Sequence, residues 1–209
     1  MNGATMVRLR DIGKWLGGKT PSKSTAAYWT DGTIPWVSPK DMKLHEIHSS
    51  EDRLTESALS ASRMSMLPPG SVLIVTRSGI LVHTLPVAVT RVAVTINQDL
   101  KALIPAEGIS PEYVALALRS ASKRILKECT KDGTTVASIE SKALLDFEIP
   151  IVPLTKQRQI VAEVDKQLSR LEGAISNLTD GLRHASLLRS AILSSAFPTS
   201  QPQFRPSKD

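Results

Sequence analysis

The sequence predicts an α+β fold, in which a globular mixed-sheet domain is followed by one long α-helix. Two observations support this prediction. Up to about residue 150, short apolar runs rich in β-branched residues are separated by glycine- and proline-rich turns and by occasional helical patterns. Beyond that point a single helical repeat continues to about residue 196. Because strands and helices do not alternate regularly in the first part, we expect a largely antiparallel or mixed sheet.

The strands of the first part are predicted from β-branched residues that are bounded by turns. The segment 7–12 fits a strand or a short helix, and residues 17–22 are expected to form a loop. The other predicted strands cover 34–38, 71–76 and 100–104, the stretches on either side of Pro86 within 80–95, and a closing strand at 146–150.

Two helices are predicted in the first part from signals at their N-termini. Thr55 is expected to cap a helix over 55–62, since a threonine hydroxyl accepts a hydrogen bond from the first turn. Ser110-Pro111-Glu112 begins the second helix with a cap, a proline and an acidic residue at the positive end of the dipole. Apolar residues recur at helical spacing as far as Ile125, and Gly133-Thr134-Thr135 is expected to break this helix.

A domain boundary is expected between Pro150 and Pro153, where the helical repeat is about to begin. We therefore predict a globular domain over 1–152, a long helix over 153–197 and a disordered, proline-rich tail over 198–209. The helix would span roughly 60 Å at 1.5 Å per residue.

The long helix carries apolar residues mostly three and four residues apart, the spacing of a left-handed coiled-coil seam. They are Ile160, Val164, Leu168, Leu171, Ile175, Leu178, Leu182, Ala185, Leu188 and Ile192. An amphipathic helix of this length is not stable alone, so we expect its stripe to pack against a partner helix. The alternative is a helix buried in the core of a single domain.

The composition narrows the class of protein. Lysine and arginine outnumber aspartate and glutamate by 26 to 20, and the resulting formal charge of +6 favours an acidic partner, most commonly phosphate. The aromatic content of 4% argues against a run of stacking platforms for single strands. Cys129 is the sole cysteine, which excludes an intramolecular disulfide framework and a cysteine zinc cage. We predict a cytoplasmic location because no leader sequence or membrane-length apolar run occurs.

The segment Gly13-Lys14-Trp15-Leu16-Gly17-Gly18-Lys19-Thr20 matches the phosphate-loop pattern in full. A phosphate loop needs a buried strand before it and a helix that begins at its Lys-Thr. Here Pro21 follows at once and no apolar helical stripe comes after it. Nucleotide binding through this segment is kept as an alternative. A glycine-rich backbone that approaches DNA closely fits the segment better.

Other catalytic patterns are weak. Asp41-Met42-Lys43 and Glu140-Ser141-Lys142 could each be half of a nuclease metal site, but neither has a convincing partner carboxylate. His45 and His48 lack the further ligands that zinc requires. No methyl-donor loop or methyltransferase motif is present. We therefore expect no catalytic centre, no metal and no cofactor.

One group of basic residues and one separate arginine are candidates for DNA contact. Arg119, Lys123, Arg124 and Lys127, followed by Lys131, lie on one side of the second predicted helix, where phosphate contacts and a solvated helix face are equally compatible. Arg77 follows the strongest predicted strand. An arginine in that place can contact a guanine edge through two hydrogen bonds, and the alternative is a salt bridge with an acidic residue.

Several segments in order resemble the specificity (S) subunit of type I restriction–modification systems. The series covers about residues 7–196 and consists of 7–12 with 18–22, Tyr28-Trp29 with 32–42, 67–74, Asn97-Gln98-Asp99-Leu100, Gly133-Thr134-Thr135, and 149–154 with Gln157-Arg158-Gln159-Ile160-Val161. Each segment is loose alone, whereas their order and spacing together are specific.

The resemblance implies one target recognition domain followed by one spacer helix. In that family a full subunit usually carries two such units, with antiparallel helices and with each domain reading one half of a split double-stranded DNA site. Methyltransferase (M) subunits perform the methyl transfer, and a restriction and translocase (R) subunit cleaves. The resemblance makes this chain either a half-subunit that dimerises or a piece of a longer chain. The residues after Phe197 resemble a chain end.

The resemblance, with loop position and side-chain chemistry, gives candidate site residues. For DNA phosphates we expect Lys19, Thr20, Ser22, Lys23, Lys40 and Thr134, and for base edges Arg77, Ser78, Asn97 and Gln98. For the dimer or spacer helix we expect Ile160, Val164, Leu168, Leu171, Ile175, Leu178, Leu182 and Leu188. The competing classes are a phosphate-loop nucleotide-binding protein and a coiled-coil assembly protein without DNA preference.

Overall fold

The computed structural model describes residues 3–131 and 136–197. The strands are β1 (Thr5–Arg8), β2 (Gly13–Gly17), β3 (Ile34–Val37), β4 (Glu46–Ile47), β5 (Asp52–Leu54), β6 (Val72–Val75), β7 (Val87–Thr90), β8 (Thr95–Ile96), β9 (Leu100–Pro105) and β10 (Glu148–Ile151). The helices are α1 (Glu56–Ser62), α2 (Pro111–Ser120), α3 (Ser122–Cys129), α4 (Ser141–Asp146) and α5 (Leu154–Ala196). Short 3-10 turns cover Leu9–Asp11, Ala26–Tyr28, Pro39–Asp41 and Gly79–Val82.

The chain divides into two compact units between Val161 and Ala162. The first unit, which we call the head, is built around a five-stranded sheet in the order β2-β9-β6-β7-β4. Neighbouring strands are antiparallel except for the parallel pair β4 and β7, so the prediction of a mixed sheet is confirmed. Its central strand β6 is the β-branched run predicted from sequence, and all four of its side chains are fully buried.

Two smaller sheets complete the head. β5, β3 and β8 form one of them, with β3 antiparallel to β5 and parallel to β8. Trp36 on β3 packs with Leu54 and Ala58 in a small apolar cluster separate from the main core. β1 pairs with β10 and brings the first strand of the head beside its last one.

Local capping signals gave correct helix starts. The hydroxyl of Thr55 accepts a hydrogen bond from the backbone N–H of Ala58 at 3.4 Å, and that of Ser110 accepts one from Tyr113 at 3.3 Å. The second predicted helix is interrupted at Ala121, whose φ of −86° and ψ of 3° leave the helical region. A tertiary contact accompanies this break, since the Ser122 hydroxyl accepts a hydrogen bond from the backbone N–H of Leu85.

The end of the head differs in part from the prediction. α4 was not predicted, because one short turn of helix carries too little periodicity to recognise. The closing strand was predicted correctly and pairs as β10 over Glu148–Ile151. The predicted helix break at 133–135 lies outside the described residues.

The long helix was predicted correctly and is continuous as α5. Its first two turns belong to the head, so the division falls inside the helix rather than at the prolines. Apart from the half-buried Val164, every residue from 162 to 197 is exposed. The alternative of a helix buried in one domain's core is therefore wrong for this part of the chain.

The exposed part of α5 carries an apolar stripe. Its members are Leu168, Leu171, Ile175, Leu178, Leu182, Leu187, Leu188, Ile192 and Leu193, each about half to three-quarters exposed. Leu187 and Leu193 were not among the predicted seam residues, and they widen the stripe towards the C-terminal end of the helix. In the described residues, no helix combines the length and the apolar character needed to cross a membrane. The tail at 198–209 lies outside the described residues.

Candidate nucleic-acid interface

The turn between β8 and β9 organises the loops at one end of the central sheet. Asn97 in this turn is only 5% exposed. Its amide nitrogen Nδ2 donates to Asp99 Oδ2 at 3.0 Å, and its oxygen Oδ1 accepts from the Asp99 backbone N–H at 3.0 Å. Both ends of the amide are thus occupied inside the protein. The structure therefore places Asn97 as a residue that shapes the turn, whereas the sequence suggested a base contact.

Arg77 leaves the end of β6 beside this turn. The backbone N–H groups of Thr76 and Arg77 both donate to the carbonyl of Asp99, at 2.7 and 3.2 Å. Arg77 Nε also lies 3.0 Å from Asp99 Oδ1, as an ion pair that lacks the alignment of a hydrogen bond. The Arg77 side chain is 61% exposed, against 19% for Asp99. The salt bridge that the sequence left open is therefore present, and the guanidinium still faces solvent.

Gln98 is the exposed member of the same turn, and it contacts the glycine-rich loop. The Thr20 hydroxyl donates to Gln98 Oε1, and the backbone N–H of Lys19 donates to the carbonyl of Ile96 at 3.0 Å. A Cβ atom on Gly18 would lie 2.0 Å from the carbonyl oxygen of Asn97, so only glycine fits there. The structure thus brings together Thr20 and Gln98, which are 78 residues apart.

The glycine-rich segment does not have the structure of a phosphate loop. Gly13–Gly17 is strand β2, and in the described structure no helix begins at Lys19 and Thr20. The Lys19 ammonium donates to the carbonyls of Ser62 and Arg63, at 3.1 Å each, and so caps the C-terminal end of α1. The nucleotide-binding alternative is not supported by this geometry.

A polar cleft lies beside Arg77 and Gln98. Lys131 and Ser138 also line it, together with Thr76, Val136 and Ile139. Two isolated bridges, Arg77 with Ser138 and Thr130 with Ile139, connect the segments that form this cleft. The cleft gathers two cationic groups and several hydrogen-bonding groups at the ends of β-segments, where a base edge or a phosphate can be contacted.

Sequence reasoning missed Asp99 and Ser138 as members of this site. Asp99 lies two residues after an asparagine, a pattern that predicts a turn. This pattern does not indicate that Asp99 pairs with Arg77. Ser138 reaches the cleft through pairing between distant segments, for which the sequence carries no signal.

The predicted phosphate contacts of the first loop differ in their surroundings. Lys23 Nζ lies 4.8 Å from the centre of the Trp29 ring and 3.9 Å from Asp52 Oδ2, with 64% of its side chain exposed. Lys40 Nζ lies 3.1 Å from both Glu51 Oε1 and Asp52 Oδ2. Hydrogen bonds to Glu51 and then Asp52 raise the pKa of Lys40. Two carboxylates therefore partly neutralise the charge of Lys40, whereas the charge of Lys23 is exposed to solvent.

The remaining predicted DNA contacts are residues with hydroxyl side chains. Ser22 is exposed, and its hydroxyl lies 2.8 Å from that of Ser24. The half-buried Ser78 accepts a weak hydrogen bond from the Ile80 backbone at 3.4 Å and caps a 3-10 turn. Thr134 lies outside the described residues.

The basic residues of α2 and α3 do not form one uniform face. Arg124 lies over the Phe147 ring at 4.8 Å and 3.4 Å from Glu128 Oε1. Lys123 and Lys127 are exposed, and Arg119 is half-buried. Lys131, just beyond α3, is the basic residue of this group that lines the cleft with Arg77.

Asp41, from the first acidic triplet, and His48 both have partners within the protein. Asp41 Oδ2 accepts hydrogen bonds from the backbone N–H and the hydroxyl of Ser38, at 2.9 and 3.0 Å, and so fixes a 3-10 turn. His48 Nε2 lies 3.0 Å from Glu46 Oε2. Within residues 3–131 and 136–197, no cluster of three or more histidine, cysteine or acidic residues could hold a metal ion.

The described chain thus combines a mixed-sheet head that carries polar loops at its strand ends with a helix that carries an exposed apolar stripe. The model of the family described as the type I restriction modification DNA specificity domain matches residues 1–178. The chain therefore belongs to this family, as the sequence resemblance indicated.

Individual relatives agree with this assignment. The chain is 42% identical over 181 residues to the specificity subunit of the type I restriction enzyme EcoR124I/EcoR124II of Escherichia coli, a match covering 87% of this chain and 44% of the relative. It is 31% identical over 176 residues to the MjaIX specificity subunit of Methanocaldococcus jannaschii, covering 81% and 38%. The chain thus spans less than half the length of these relatives.

Solved structures support the fold. A structure described in terms of complex assembly and conformational transition of the type I R-M system superposes with a TM-score of 0.72 at 24% identity, over 96% of this chain and 47% of that one. The HsdS subunit from Thermoanaerobacter tengcongensis gives 0.61 at 23% identity, over 83% and 40%. An α+β head followed by a long helix is therefore an arrangement shared with known specificity subunits.

Proposed function

We propose that this chain is the DNA-recognition unit of a type I restriction–modification enzyme and reads one half of a split target. The observation that carries the proposal is the presence, in one member of this family, of both a polar strand-end cleft and a long exposed apolar stripe. The cleft supplies contacts for DNA, and the stripe supplies a surface for a second unit. Partner subunits perform the catalysis, and this chain positions those subunits.

The head would dock its strand-end loops in the major groove, where each base pair presents a distinct pattern of donors and acceptors. Arg77 and Gln98 are the strongest base contacts, since both line the cleft. Ser78 remains a candidate beside them, and Asn97 acts by holding the turn. The proposed phosphate contacts remain Lys19, Thr20, Ser22, Lys23, Lys40 and Thr134.

Among the phosphate candidates, Lys23 is favoured because it is exposed and its nearest carboxylate oxygen is 3.9 Å away. Lys19 and Lys40 would have to exchange an internal partner for a phosphate oxygen. Phosphate contacts set the register on the duplex and supply most of the affinity, whereas base contacts supply the choice of sequence.

The helix would pair antiparallel with the equivalent helix of a second copy or of a second half-subunit. Burial of one leucine or isoleucine contributes about 1.5–3 kcal/mol, so the apolar stripe offers a large driving force for this pairing. The predicted seam residues Ile160 and Val164 are half-buried at the start of the helix, and the other six, from Leu168 to Leu188, are exposed. The paired helices would fix the distance between two heads and thereby the spacer of the DNA target.

Methyltransferase subunits and a restriction and translocase subunit are the proposed protein partners. They would bring the catalytic groups to the site that the head selects. A cytoplasmic location remains a prediction from the sequence.

The test is a selection from random duplex DNA with the full chain and its partner methyltransferase. We expect enrichment of a bipartite sequence with two defined halves and a fixed, unspecified spacer. If no sequence is enriched although the helix-mediated assembly is intact, the proposal is contradicted. The chain would then be an assembly protein without DNA preference.

A further inference from the structure

The arginine of the cleft is held from one side by a carboxylate. Arg77 Nε lies 3.0 Å from Asp99 Oδ1. Within the described part of the chain, Asp99 is the only acidic residue paired with Arg77. An arginine carries five N–H groups, one on Nε and four on the two terminal nitrogens. Asp99 therefore lies beside Nε, and in the described part of the chain the four terminal N–H groups make no hydrogen bond.

Asp99 itself is well fixed. Its backbone carbonyl accepts hydrogen bonds from the N–H groups of Thr76 and Arg77 and from the Thr76 hydroxyl, the last at 3.1 Å. Its other carboxylate oxygen, Oδ2, accepts from the buried side chain of Asn97 at 3.0 Å. The carboxylate is 19% exposed, so it cannot swing freely into solvent. Asp99 is thus a well-fixed carboxylate beside a solvent-exposed arginine.

The chemistry of the free edge indicates its ligand. Two parallel N–H groups of a guanidinium match the O6 and N7 acceptors of guanine in the major groove. A carboxylate behind Nε limits the rotamers of the arginine, so less conformational entropy is lost when both hydrogen bonds form. Gln98 and Lys131 line the same cleft and add donors around this edge.

We propose that Asp99 is a positioning residue that aims Arg77 at a guanine in the recognised half-site. This inference rests on the proposed function, because it assumes that the head reads duplex DNA. It adds a specific base to the half-site and a residue that does not itself touch DNA. Asp99 acts through Arg77 and determines specificity at one position of the target.

The test compares the full chain with its D99N, R77A and R77K variants and the R77A/D99N double variant, each with the partner methyltransferase. One duplex carries a target obtained by selection. In each of three further duplexes, one of the other bases replaces the guanine that Arg77 is proposed to contact. We expect the wild type to prefer guanine by about 10- to 100-fold. D99N should reduce this preference to a few-fold and leave the other positions unchanged. R77A and the double variant should behave alike, because Asp99 has no effect without Arg77.

Two controls separate positioning from stability. E128Q removes the partner of Arg124, an exposed ion pair outside the cleft, and should leave base preference unchanged. R77K alters a side chain that is 61% exposed, so folding is preserved; it should bind all four duplexes about equally, because lysine lacks the planar fork.

The outcomes are distinguishable. An equal loss on all four duplexes for D99N would show that Asp99 only stabilises the turn and would overturn the inference. An equal loss for R77A would make Arg77 a phosphate contact and overturn it as well, while a bipartite target would still support the proposed function. A wild-type chain with no base preference at any position would overturn both.

Discussion

The side-chain oxygen Oε1 of Gln157 accepts a hydrogen bond from the backbone N–H of Ser110 at 2.8 Å. Gln157 Nε2 donates to the carbonyls of Gly108 and Val152, at 3.1 and 2.7 Å. The residue is only 1% exposed, although it lies in the first turn of the long helix. One amide therefore joins the start of α5 to the loop before α2 and to the end of β10.

Replacing Gln157 with leucine should destabilise the head. The change removes three hydrogen bonds and leaves one buried N–H and two carbonyls without this partner, which costs about 2–4 kcal/mol in total. The free energy of unfolding, measured by urea denaturation, tests the loss. Q159L is the matched control, because Gln159 lies on the same helix and is exposed. Equal effects of the two substitutions would contradict the assigned role of Gln157.

Low pH should lower the free energy of unfolding of the head, because it protonates two glutamates that pair with the same arginine. Arg91 donates to Glu112 Oε1 at 2.6 Å and to Glu46 Oε1 at 2.7 Å. The hydrogen bond from Arg91 lowers the pKa of Glu46 below its usual 4.5. For Glu112, burial raises the pKa, and the hydrogen bond from Arg91 and other hydrogen bonds outweigh it, so the net shift is downward. Groups with lowered pKa values stabilise the folded state above their unfolded pKa and lose this effect as the pH falls through the folded pKa.

R91M should therefore reduce the free energy of unfolding at pH 7 by about 1–2 kcal/mol, because the ion pairs are partly exposed. Below pH 4.5 the difference between R91M and the wild type should shrink. Thermal unfolding at several pH values provides the measurement. R8M serves as a control, since Arg8 and Glu148 are 4.0 Å apart and about half exposed. A difference that stays constant down to pH 3 would be inconsistent with this explanation.

Lys23 should contribute to DNA binding without regard to sequence. A lysine that neutralises one phosphate releases counterions, so K23M should weaken the selected and the scrambled duplex by a similar factor. The slope of log affinity against log salt should fall by about 1. Fluorescence anisotropy over a salt series measures both quantities. K142M, which alters an exposed lysine outside the proposed interface, should change neither. A loss confined to the selected duplex would instead make Lys23 a base contact.

Local signals in the sequence predicted the local structure well. The hydroxyls of Thr55 and Ser110 cap their helices because that hydrogen bond involves residues only three apart. The apolar run of β6 is buried on both faces, which a continuous β-branched run indicates. The α5 helix was predictable because its apolar spacing persists over many turns.

The site was predictable only in part, because its geometry depends on contacts between distant residues. Arg77 was identified from its place after a strong strand, but its pairing with Asp99 arises when β6 and β9 become neighbours. Asn97 was expected to be accessible, and folding buries it under the glycine-rich loop. Lys19 fits a phosphate-loop pattern in sequence, yet its ammonium caps α1, 43 residues further on at Ser62. Pattern and spacing do not carry this long-range information.

Under the proposed function, the head reads the DNA sequence while α5 sets the separation between two heads. Insertion of seven residues after Gly173 keeps the heptad register and lengthens the helix by about 10 Å, which corresponds to about three base pairs. Selection from random duplex DNA with this variant, its partner methyltransferase present, should yield unchanged half-sites separated by a spacer about three base pairs longer. Unchanged half-sites with the wild-type spacer would show that α5 does not set the separation between the heads.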